Sequence, residues 1–181
     1  VAVRRAQGEQ PRLVALAVEQ VFYEIGKPYN KILHIDLHTG YGERGRLHFF
    51  SSKKATQLPG FQEIFKCFIF NDSSDDDIYT TSGNFDTFTM NVFKDKAIVI
   101  PMTFEFGTMD SQTIMGGFRS LRNMIQENQG YQWGYSNDYY EKRVKKQFME
   151  MFNPSDKEWR DKVLKQGTET LITVTERFAT I

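Results

Sequence analysis

The chain has 181 residues, 40% of them apolar, which is enough to bury one core and too short for two ordinary domains. Its 23 basic and 23 acidic side chains cancel, so no global field favours nucleic acid or an anionic membrane, and neither is expected as a partner. No apolar stretch approaches the about 20 residues of a bilayer span, and the single cysteine, Cys67, rules out an internal disulfide and a thiolate metal cage.

In chain order, Pro11 suits a first helical turn. Leu13, Leu16, Ala17, Val21 and Ile25 then recur at helical spacing, with Gly26 as a stop. Residues 32–37 form a short, largely apolar, β-branched run between turn residues, which predicts a buried strand ending at His38, Thr39 and Gly40. A second apolar run covers 47–50, and 61–70 reads as a helix end or a strand. The acidic run 71–77 reads as a solvated loop or the end of one.

Residues 97–106 predict another strand. Val99, Pro101, Thr103 and Glu105 share one face, while Ile98, Ile100, Met102, Phe104 and Phe106 share the other. Pro101 cannot donate to a ladder, which argues for an edge or a bulge there. Helices follow over 111–128 and 138–152, and a third starts at a Ser155 cap, with Glu158 as capping-box partner, and runs toward Phe178. The cations Lys142, Arg143, Lys145 and Lys146 alternate with acids and read as an exposed helix face. The pattern as a whole predicts an α/β protein, a mixed, mostly parallel sheet flanked by helices.

Three histidines are candidates for chemistry. His34 and His38 lie about 13 Å apart along a strand at ~3.3 Å per residue, too far to share one zinc, and His34 reads as a structural sheet histidine. His48, within an aromatic stretch, reads the same way. His38 stands where a strand opens into a loop, the place where ligand sites collect in α/β sheets. Glu105 interrupts an apolar run between two phenylalanines, so it needs either a partner or a raised pKa, and a raised pKa suits a general base. Tyr79 opens a polar, glycine-containing stretch, where either its hydroxyl donates to a substrate or its ring covers the core. Arg44 and Arg46 read as parts of a solvated turn.

Three motifs in this order resemble the zinc carboxypeptidase family, most closely its bacterial carboxypeptidase-like branch and more distantly the succinylglutamate desuccinylase and aspartoacylase group. They are Ile35-Asp36-Leu37-His38-Thr39-Gly40, Ile78-Tyr79-Thr80-Thr81-Ser82-Gly83 and Thr103-Phe104-Glu105-Phe106-Gly107-Thr108. The resemblance implies a carboxypeptidase-like (phosphorylase/hydrolase-like) fold, with residues 1–181 as the C-terminal portion of one catalytic domain. It implies His38 as the last zinc ligand, Glu105 as the catalytic base and Tyr79 as a catalytic and substrate-binding residue. Zinc is then the cofactor, a peptide or acyl-amino acid the substrate, and hydrolysis of a peptide or amide bond the reaction.

The chain departs from the family in one large respect. The His-x-x-Glu pair of zinc ligands and the arginines that grip a terminal carboxylate lie upstream of the matched strand in the family, and none is present here. Catalytic zinc takes three protein ligands, so this stretch alone is expected to be inactive and to belong to a longer enzyme. A non-catalytic α/β binding or assembly module is the competing expectation. The opening residues do not resemble a signal peptide, which points to the cytoplasm.

Overall fold

The computed structural model describes residues 2–69 and 84–181, with the backbone alone over 2–12. Its elements are α1 (Ala2–Gly26), β1 (Lys31–Gly40), β2 (Leu47–Phe50), α2 (Lys53–Thr56), α3 (Phe61–Phe65), α4 (Phe85–Val92), β3 (Ile98–Gly107), α5 (Ile114–Trp133), α6 (Asp138–Met149) and α7 (Lys157–Phe178). The protein is mixed α/β, with a small three-stranded sheet flanked by helices.

The strand order is β1-β3-β2. β1 runs parallel to β3 along its whole length, from Lys31 opposite Ile98 to Gly40 opposite Gly107. β2 is antiparallel to β3, with His48 opposite Glu105 and Phe50 opposite Thr103. β3 is therefore central and buried on both sides, as its near-continuous apolar sequence requires.

Register sorts the side chains into two faces, because directly paired residues point the same way. On one face Ile100, Met102, Phe104 and Phe106 join Leu47 and Phe49 and pack against Phe61, Ile64 and Phe65 of α3 and Trp159 and Val174 of α7. Phe61, Phe65 and Phe104 are fully buried, each worth about 1.5–3 kcal/mol of transfer free energy. The other face carries Ile32, His34, Asp36 and His38 from β1, Val99, Pro101, Thr103 and Glu105 from β3, and His48 from β2. It is partly covered by α1 and α4, whose Phe22 and Phe85 rings meet His34 edge-on. One layer thus holds the apolar core and the other holds the polar groups.

Several features differ from expectation. β1, expected as a buried strand, is an edge strand of the described sheet, half-buried from Lys31 to Asp36 and exposed at Leu37 and His38. Helix α1 starts well before Pro11 and passes through it. Pro101 occupies the central strand rather than an edge or a bulge. The Pro101 carbonyl accepts from Ser51 Oγ on the side where β2 has already ended at Phe50, so the missing N–H faces no ladder partner. Helix α7 is capped by Asp156, which accepts from the Glu158 N–H, and not by Ser155. Helix α4 was not anticipated; Asn84 caps it by accepting from the Thr87 N–H. Within 61–70 the described part is helical only as far as Phe65. The acidic run 71–77 lies outside the described residues. The α6 cations are exposed, as expected. Among the described residues no helix is long and apolar enough to cross a membrane.

Candidate active site

The polar groups gather at the C-terminal ends of the two parallel strands. His38 and Glu105 are register partners on β1 and β3, so their side chains leave the sheet on the same face. His38 Nδ1 lies 3.6 Å from Glu105 Oε2. The His38 side chain is 52% exposed and that of Glu105 12%, so the imidazole is open to a solute while the carboxylate stands behind it.

The local sequence explains why Glu105 sits so firmly. Gly107, two residues on, lies against the 41–46 turn so closely that a Cβ there would stand 2.0 Å from the Glu43 carbonyl oxygen. The Gly107 carbonyl accepts from the Gly45 N–H and from Trp159 Nε1, both at 2.8 Å. Thr108 Oγ1 donates to the Met151 carbonyl at 2.6 Å and lies 2.9 Å from the Gly40 carbonyl. This seam folds the turn back so that the Tyr41 N–H donates to Glu105 Oε1 at 2.9 Å, leaving Oε2 turned toward His38.

Burial pushes the Glu105 carboxyl above the usual glutamate value. The Tyr41 N–H and the neighbouring His38 oppose that rise, and the charge of Asp36 adds to it. A carboxylate held basic in this way, with one oxygen anchored and the other free beside an accessible imidazole, can accept a proton from a small molecule lodged against both.

Two further carboxylates share this face. Asp36, two residues before His38 and hence on the same side of β1, accepts from His38 Nε2 with Oδ2 at 2.9 Å. Asp86, in the first turn of α4, is buried, with Oδ1 3.9 Å from His34 Nδ1. Neither of those two atoms has a hydrogen-bond partner. Burial first, and the Asp36 charge second, lift the Asp86 carboxyl to about 6, with His38 pulling the other way. Burial lowers the His34 imidazole, which Asp36 counteracts. His34 is thus a core histidine by packing, with one nitrogen unsatisfied. His48 is buried too and accepts the Glu43 N–H at Nε2, 3.1 Å away.

The structure brings His38 and Glu105 together; Tyr79 lies outside the described residues. Arg44 belongs to the scaffold, donating to the Thr108 carbonyl and to Asp156, and Arg46 is paired with Glu43. Asp36 and Asp86 escaped the reading of the sequence. Period two along the strand would have placed Asp36 beside His38, whereas nothing in the local pattern brings α4 to β1.

As a zinc ligand, His38 has a suitable setting: one ring nitrogen bonded to a carboxylate and the other open, the usual arrangement around a metal-bound imidazole. It fits one corner of a shell only. Among the described residues no group of three or more His, Cys, Asp or Glu side chains could hold a metal ion.

Fold and site together define an α/β protein with a histidine–carboxylate pair at the ends of adjacent parallel strands. The chain belongs to the family described as protein of unknown function (DUF2817), whose model matches residues 7–166. No curated protein and no solved structure matches it.

Proposed function

We propose that the protein is the C-terminal part of a zinc-dependent hydrolase of peptide or amide bonds, of carboxypeptidase type, with a peptide or acyl-amino acid as substrate. The observation that carries this reading is the 3.6 Å approach of His38 Nδ1 to Glu105 Oε2 at the ends of two parallel strands. His38 would hold zinc, and the remaining ligands would come from polypeptide upstream of this stretch. Zinc, when bound, supplies an acidified water and a polarised carbonyl. The chain's own part is to hold and move a proton. Glu105 is kept basic by burial, anchored through Oε1 by Tyr41 N–H, and takes the proton on Oε2 before passing it to the leaving nitrogen. Tyr79 would contact the substrate.

The test is Glu105→Gln in the protein extended upstream. Turnover should fall 10²- to 10⁴-fold, the usual worth of one placed base, with zinc content unchanged; activity within about threefold of wild type removes Glu105 from this role.

A second reading, an assembly module without turnover, draws on the apolar strip that α5 leaves exposed at Ile114, Phe118, Leu121 and Ile125. The same substitution separates the two, because an assembly module has no use for a base.

A further inference from the structure

His38 meets two carboxylates, one at each ring nitrogen. Asp36 Oδ2 is 2.9 Å from Nε2, a hydrogen bond, while Glu105 Oε2 is 3.6 Å from Nδ1, beyond hydrogen-bond range. A neutral imidazole has one proton to give, and whichever nitrogen keeps it becomes a donor while the other becomes a lone pair. The two acids therefore compete for a single proton, and distance decides between them.

We propose that Asp36 is a positioning residue of this site: by accepting the Nε2 proton of His38 it fixes the ring's tautomer and rotation, leaving Nδ1 as the bare donor atom facing Glu105. The backbone makes this possible. Asp36 and His38 are two apart on β1, so their side chains rise from the same face one pleat apart. Asp36 is opposite Thr103 and His38 opposite Glu105, so the order across the face is carboxylate, imidazole, carboxylate. Without Asp36 the remaining acid, Glu105, draws the proton to Nδ1. The lone pair then points away from Glu105, and an electrophile approaching beside Glu105 finds an N–H instead of a ligand. The hydrogen bond also holds a side chain that is 52% exposed and otherwise free to rotate.

The purpose of this arrangement rests on the hydrolase reading, but its test needs neither metal nor substrate, so either can fail while the other stands. Long-range proton–nitrogen correlation spectra of the nitrogen-15-labelled chain at pH 9, where an ordinary imidazole carries one proton, distinguish the tautomers directly. In the wild type the His38 signal should show a protonated Nε2 and a bare Nδ1. A protonated Nδ1, an even mixture or a doubly protonated ring overturns the proposal without recourse to any variant. In Asp36→Ala the proton should move to Nδ1, and an unchanged tautomer there overturns it equally. Asp36→Asn keeps an oxygen able to accept from Nε2 and should retain the wild-type pattern. A purely structural role for Asp36 would leave the tautomer unchanged in both variants.

Discussion

His34 Nδ1 and Asp86 Oδ1 face each other across 3.9 Å, both buried, and neither is hydrogen-bonded. Leaving a buried polar atom without a partner costs about 1–3 kcal/mol, so this gap between α4 and β1 is a weak point in an otherwise satisfied face. A proton on the carboxyl changes the matter, because a neutral acid costs less to bury than an anion.

The pH dependence of Asp86 follows with a definite sign. The native state holds its carboxyl at about 6 against 3.8, so it binds the proton more tightly than the unfolded chain does. That contribution, of the order of 3 kcal/mol, is complete below about pH 4 and is lost as pH rises through 6. The lowered His34 value acts oppositely, costing stability as pH falls below the ordinary imidazole range. The informative quantity is therefore the wild type compared with Asp86→Asn. The melting temperature of the wild type minus that of the variant should fall by roughly 6–12 °C between pH 4 and 7.5, at about 2–4 °C per kcal/mol for a chain of this size. A difference that stays constant across this range would show that Asp86 titrates normally.

Glu105 should reveal itself in stability as well as in turnover. Its folded pKa is raised, so the native state prefers the neutral acid and carries a cost once the carboxyl ionises. Glu105→Gln keeps an oxygen for the Tyr41 N–H and removes the charge. The variant should melt above the wild type at pH 8 and with it at pH 4. A functional group retained at the expense of stability is what a working site predicts. Equal melting at both values would mean that burial does not strain this carboxylate.

The strands of this fold were legible because they obey two simple rules. Residues 32–37 and 98–106 are largely apolar runs between turn residues; His38 stands out where the first gives way to polar groups, and Glu105 because it interrupts the second between two phenylalanines. The position of Pro101 was not legible, since a proline's missing donor bars it from one side of a ladder only, and which side stays open depends on where β2 stops. Helix α4 was missed for a related reason. Its rings Phe85 and Phe88 are ordered by the long-range partners Phe22 and His34, and that contact between distant segments leaves no local period to read. Asp36 is legible in principle: it sits within the largely apolar 32–37 run, and the strand alternation places it beside His38.

Close packing behind the site makes the last prediction. Gly107 lies so near the Glu43 carbonyl that a Cβ would sit 2.0 Å from its oxygen, and the contact is with backbone, which cannot swing aside. Gly107→Ala must push the 41–46 turn outward, which typically costs about 1–3 kcal/mol. The same displacement draws the Tyr41 N–H away from Glu105 Oε1. Gly117, within α5, is the control. A Cβ there meets only the Ser111 carbonyl oxygen at 3.4 Å, so Ala should fit and stabilise the helix by about 0.5–1 kcal/mol. Urea unfolding of the two variants should therefore move in opposite directions, Gly107→Ala to lower and Gly117→Ala to higher midpoints. If Gly107→Ala unfolds with the wild type, the turn is not held against β3 as described, and the anchoring of Glu105 through Tyr41 fails with it.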